Sequence, residues 1–161
     1  MNFPDFETEE EKVIYNVEDV DFETEDNPLL SPDISYWIEK MIEREGKKLG
    51  GVSYIFCSDN YLHKMNLEYL KHDTLTDVIT FPFSGKGAKK LEGELVLGVE
   101  VAQREAADRG HDVHTELCLY VIHGLLHLCG YDDKTARDSA AMRRKEREYL
   151  QKLDLPDIAD E

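Results

Sequence analysis

The sequence predicts an α+β fold: a single domain with a small, mainly four-stranded sheet, helices around it, and a metal-binding helix and turn on one side. Three observations lead there. Short runs rich in β-branched and aromatic residues alternate with longer stretches whose apolar residues recur at helical spacing, so both element types occur. The breaks between them carry capping residues, glycines and prolines where helices start and stop. The 161 residues show no internal repeat and suffice to bury one core without disulfide support.

Residues 1–11 are polar and acidic, and they and the tail 154–161 are expected to be mobile ends of one domain spanning 1–161. Lys12–Val17 reads as a first strand, and Asn27-Pro28 breaks the chain. Ser31 is placed to cap a helix with Pro32 at its first position. Ile34, Trp37, Ile38, Met41 and Ile42 give that helix an apolar face, and it is expected to run to about Leu49, ended by Gly50-Gly51. Val52–Cys57 is the second strand. Ser58 or Asp59 then caps a helix through Leu62, Met65, Asn66 and Tyr69. After a polar turn, Val78–Phe83 forms a third strand, with Pro82 confined to its end or to an edge because it cannot donate to a ladder. A basic loop, residues 84–90, leads to a fourth strand, Glu92–Leu97, antiparallel to the third. Val99–Arg109 is a short helix stopped by Gly110. Asp112 caps the next, whose core stripe is Leu117, Val121, Leu125 and Leu128. A charged helix from Lys134 to about Lys152 closes the domain.

The formal net charge of −16 argues at first against a nucleic-acid partner, since phosphate binding needs positive charge. Its distribution removes the objection. Residues 1–31 hold eleven acids against Lys12 alone, and 154–161 add four more, which leaves 20 acids and 18 bases in residues 32–153. A near-neutral body can carry a local basic groove while the acidic ends are solvated. Cys57, Cys118 and Cys129 are odd in number and lie in apolar segments, so they read as reduced core thiols, Cys129 as a packing neighbour of the site described next. No charged start precedes an apolar run and no run is long enough to span a bilayer, so a cytoplasmic protein without a membrane partner is expected.

The chemistry is concentrated in His123-Gly124-Leu125-Leu126-His127-Leu128-Cys129-Gly130-Tyr131-Asp132-Asp133. Histidines four apart on a helix project from one face and can hold one ion between them. Gly130 can take the left-handed conformation that turns the chain back, bringing a carboxylate of Asp132 or Asp133 beside the imidazoles. Two imidazoles, one carboxylate and an open fourth position make up a catalytic zinc site, with one ion per chain. His63, His111 and His114 are expected at surface or capping positions.

This stretch resembles the signature of the YbeY family of metal-dependent endoribonucleases. The likeness extends through Asn66-Leu67-Glu68-Tyr69 and Thr76-Asp77-Val78-Ile79-Thr80-Phe81-Pro82, and covers most of the chain. The resemblance implies zinc in a cleft between sheet and ligand helix, single-stranded RNA as substrate, and the small ribosomal subunit and its maturation proteins as partners. Its tasks would be maturing the 3′ end of small-subunit rRNA and ribosome quality control. By the family's spacing Asp133 is the third ligand, where the usual residue is a histidine. A carboxylate there lowers the charge of the centre from about +2 to about +1, which weakens its activation of water. A second departure is Leu70, where the family carries an arginine; the adjacent Lys71 and His72 offer charge without the planar fork that grips phosphate.

The mechanism expected from these residues has the metal polarise a phosphoryl oxygen or hold water near phosphorus, with Lys71, or else Lys86, Lys89 or Lys90, offsetting charge in the transition state. Asp77 or Glu94 would orient a ligand or water. Two rival readings differ in substrate class. The spacing of His123, His127, Gly130 and Asp133 also matches metzincin proteases, but these need a glutamate directly after the first histidine, where this chain has Gly124. A ribosome-associated binding protein that keeps the metal only for stability is the other.

Overall fold

The computed structural model describes residues 12–72, 75–85 and 87–153. The mobility expected of residues 1–11 and 154–161 falls outside them. The fold is a single α+β domain with strands β1 (Val13–Glu18), β2 (Lys48–Cys57), β3 (Val78–Pro82) and β4 (Lys90–Gly98). Its helices are α1 (Pro32–Arg44), α2 (Asp59–Leu70), α3 (Val99–Arg109), α4 (Val113–Leu128) and α5 (Ala136–Lys152), and a 3₁₀ turn at Pro28–Leu30 precedes α1. The sheet order is β1-β2-β4-β3. β1 and β4 run parallel to β2, and β3 pairs antiparallel with β4 as expected, leaving β3 on an edge that tolerates Pro82.

The caps read from the sequence form. Ser31 accepts from Ile34 N, Ser58 from Tyr61 N and Asp112 from His114 N, each satisfying an orphan amide of a first helical turn. One boundary differs. α1 stops at Arg44 instead of near Leu49, because the chain turns at Gly46, where φ is +81°. Lys48 then enters β2, so Gly50-Gly51 lies inside a strand, at a register shift between Leu49 and Gly51, and not at a helix end. A side chain at Gly50 would meet Glu92 Cγ at 2.8 Å and Leu91 O at 2.9 Å, so close strand approach explains that glycine.

Alternation along β4 sorts the two faces of the sheet. A Cβ on Gly93 would strike Leu128 of α4 at 2.8 Å, whereas one on Gly98 would strike Leu62 of α2 at 2.8 Å. Leu91, Leu95 and Leu97 therefore join Tyr54 and Phe56 in the main core, with Ile38, Met41 and Ile42 of α1, Leu117, Val121 and Leu125 of α4, and Met142, Tyr149 and Leu150 of α5. On the opposite face Ile55, Cys57, Ile79 and Val96 form a smaller core with Leu62. α4 is thus packed between the sheet and α5, with His123 and His127 near its end left partly exposed.

Candidate metal centre and adjoining cleft

α4 is apolar enough to be buried along most of its length, yet His123 and His127 keep side-chain exposures of 24% and 27%. Gly124 lets the helix sit this close to the sheet. A Cβ there would lie 2.6 Å from Leu95 Cδ2 and 3.3 Å from Thr80 Oγ1. The helix closes in a Schellman-type end: Tyr131 N donates to Leu126 O at 3.0 Å, Gly130 N to His127 O at 3.0 Å, and Gly130 has φ +110°. That turn carries Asp133 back over the histidines.

The three donor atoms converge. His123 Nε2 and His127 Nε2 are 3.2 Å apart, and Asp133 Oδ2 lies 3.5 Å from the first and 3.7 Å from the second. A tetrahedral ion with bonds of about 2.0–2.1 Å separates its ligand atoms by roughly 3.3 Å. The cluster can therefore hold a metal ion without rearrangement. Asp132 is turned elsewhere, its Oδ1 accepting from Asp133 N at 2.8 Å.

The outer nitrogens fix the tautomers. His127 Nδ1 is 3.0 Å from the carbonyl oxygen of Tyr131, an obligate acceptor, so that nitrogen carries hydrogen. His123 Nδ1 is 2.5 Å from Glu146 Oε2 and likewise donates. In the neutral rings both Nε2 atoms then point lone pairs at each other and at a carboxylate, an arrangement that requires a cation or a proton in the middle. Burial disfavours a charged His123, but the hydrogen bond with Glu146 and the charges of Glu146, Asp77 and Asp133 outweigh it and raise its pKa. Cys129 is no ligand: it lies outside the cluster, and burial pushes its thiol up to about 12.

Glu146 was not visible in the sequence as a site residue. It sits in a helix crowded with arginine, lysine and glutamate, 23 residues from His123, and only its burial in the fold, 3% side-chain exposure, singles it out. A second carboxylate supports the turn. Glu45, after α1, accepts from the hydroxyl of Tyr131 at 2.8 Å and from that of Tyr149, and lies 3.3 Å from Lys145 Nζ. Burial alone would raise the Glu45 pKa, but the bonds from Tyr149, Tyr131 and Lys145 lower it.

Beside His123 opens a cleft of about 520 Å³, bounded by residues 75–78, α3, α4 and α5. Asp77 and Glu146 share its lining with Arg104, Arg109 and Arg143. Asp77 therefore stands near the metal cluster. Lys71 does not line the cleft: it ends α2 in a left-handed conformation, exposed, with Nζ 3.5 Å from Glu68 O. Glu94 is on the other face of the sheet from α4 and accepts from Ser53 Oγ at 3.1 Å, so strand parity separates it from the histidines. Lys89 and Lys90 are exposed at the start of β4, and Lys86 falls outside the described residues. His111 pairs with Glu116 at 2.7 Å, and the His114 amide completes the Asp112 cap. Among the described residues no helix is long and apolar enough to cross a membrane.

A family model described as Endoribonuclease YbeY matches residues 19–154. A protein named Endoribonuclease YbeY from Christiangramia forsetii is 44% identical over 134 residues, covering 82% of this chain and 92% of the relative. Another of that name, from Amoebophilus asiaticus, is 44% identical over 138 residues, covering 86% and 90%. The solution structure of a Thermotoga maritima protein superposes with a TM-score of 0.60 at 25% identity, covering 86% of this chain and 88% of that one.

Proposed function

The chain belongs to the endoribonuclease YbeY family, and on that premise we propose that it is a zinc-dependent endoribonuclease cutting single-stranded RNA in the cytoplasm. Its substrate in this reading is ribosomal RNA, at the 3′ end of the small-subunit molecule, and its partners are the small subunit and the proteins that mature and survey it.

The observation that carries the reading is the pair of Nε2 lone pairs, 3.2 Å apart and facing a carboxylate, with both Nδ1 hydrogens already committed. His123, His127 and Asp133 would hold the ion. Two nitrogen donors and one oxygen donor suit zinc. When bound, zinc supplies Lewis acidity toward a phosphoryl oxygen or a water. Glu146 keeps the hydrogen of His123 on Nδ1, and the Tyr131 carbonyl does the same for His127, so both rings stay oriented and basic at Nε2. Asp77, on the cleft wall, orients a water or a substrate hydroxyl. Lys71, four residues before the cleft-lining Leu75, offers an exposed cation to the RNA backbone outside the cleft.

Proteolysis is disfavoured on packing grounds. The glutamate that such a site needs would occupy position 124, where even a Cβ meets Leu95 at 2.6 Å.

The test is cleavage of a labelled single-stranded RNA by zinc-loaded protein beside His123→Ala, with the fold of both checked by circular dichroism. Cutting that disappears in the variant supports the assignment. A folded, zinc-bound wild type that cuts nothing would overturn it in favour of a ribosome-binding role.

A further inference from the structure

We infer that the cleft beside His123 seats a nucleobase of the RNA, and that the Tyr120 hydroxyl is the group that hydrogen-bonds it. This rests on the endoribonuclease reading and names the part of the substrate that the cleft takes. Tyr120 is on α4 one turn before His123, so the two side chains leave the helix on one side, and both line the cleft.

The hydroxyl is the unspent polar group of that wall. Tyr120 keeps only 3% of its surface exposed, and its oxygen is buried without a hydrogen-bond partner among the described residues. Burial first, then the charges of Glu116 and Asp77, raise the phenol's pKa, so it keeps its proton and can donate. Both of those carboxylates belong to the cleft, so the hydroxyl end of the ring is directed there. Glu116 approaches it without closing a hydrogen bond, because its two oxygens are turned to Arg109 and His111. A buried donor left in that state costs free energy that an acceptor entering the cleft recovers.

The charge of the cleft selects the acceptor. Asp77, Glu105, Glu116 and Glu146 line it against three arginines. None of the three is free: Arg104 holds Asp59, Arg109 holds Glu105 and Glu116, and Arg143 is engaged as well. Such a lining repels a phosphate and accepts an uncharged ring. Val78, Val101 and Leu119 add partly buried apolar surface on which a flat base can pack, within a volume of about 520 Å³. Single-stranded RNA offers unstacked bases, and each carries a carbonyl oxygen or ring nitrogen that accepts from a phenol.

The experiment measures the affinity of the zinc-loaded full chain for a short labelled single-stranded RNA with 2′-O-methyl riboses, by fluorescence anisotropy. A strand of the same length and sugar that lacks every base is run beside it. Tyr120→Phe removes the oxygen and keeps the ring. It should weaken binding of the RNA about fivefold, and its melting temperature should match or exceed that of wild type, since the hydroxyl has no internal bond to lose. On the abasic strand wild type and Tyr120→Phe should bind equally, because base and hydroxyl act as a pair. If Tyr120→Phe binds the RNA as tightly as wild type, or its deficit persists on the abasic strand, Tyr120 bonds no base and the inference fails while the nuclease reading stands. A lowered melting temperature would place the hydroxyl in a structural bond and overturn it as well. If the wild type does not bind the RNA at all, the nuclease reading fails first and takes this inference with it.

Discussion

Two adjacent carboxylates compete for one role at the turn after α4, and the side-chain directions decide between them. Asp133 Oδ2 reaches within 3.7 Å of both imidazoles, whereas Asp132 is spent on the Asp133 amide. Asp133→Ala should therefore reduce zinc affinity by two orders of magnitude or more, since a third of the ligand set is gone, while Asp132→Ala should stay within about tenfold of wild type. A competition titration with a chromophoric chelator reads both, and equal losses would mean that the wrong carboxylate has been chosen. The choice of Asp133 over Asp132 rested on the family's spacing alone, but that a carboxylate after Gly130 joins the two histidines was legible, because all three donors fall within one helix turn and the chain reversal after it. Glu146 was not, since nothing in a run of alternating charges marks the one glutamate that tertiary packing will bury.

Among the elements, α5 and the end of α1 brace the ligand turn from behind. Glu45 collects Tyr131 from the turn and Tyr149 and Lys145 from α5, with 8% of its side chain exposed. Glu45→Ala should lower stability by about 3 kcal/mol, since the buried Tyr149 phenol, the half-buried Tyr131 phenol and an ammonium lose their acceptor together. It should also weaken zinc binding, because the Tyr131 carbonyl orients His127. Thermal melts and the same chelator titration measure the two effects. If neither moves, the clamp has no mechanical role. Helix starts were readable because serine and aspartate caps act on amides two or three residues away. The end of α1 differs from the expectation because Gly46, and not Gly50-Gly51, is its stop. Gly46 turns the chain, while Gly50 answers a constraint from β4, a strand 40 residues later. The misplacement of Glu94 has the same origin. Its own alternation is plain, but which face receives α4 depends on the sheet order.

For the whole molecule, proton and metal act at one point with opposite pH dependence. The raised His123 pKa means that, without metal, its protonation stabilises the fold fully below the ordinary value of 6.5, a contribution lost as pH rises through the folded value. Zinc bound there would compete with that proton for Nε2, so its affinity would climb over the same window. Chelated protein should therefore lose thermal stability from about pH 6.5 upward relative to zinc-loaded protein, and the gap between the two melts should widen with pH. A gap that narrows would show that His123 is neutral in the metal-free fold. The order of assembly follows from how the site is strung along the chain. All three ligands fall between His123 and Asp133, so closing the ring around an ion costs little chain entropy and needs neither strand nor sheet. A nascent chain that has extruded α4 and its turn would then already offer the three donors of a metal site before α5 has been synthesised. Glu146 would arrive later, and its hold on His123 would make completion of the last helix the step that commits a bound metal.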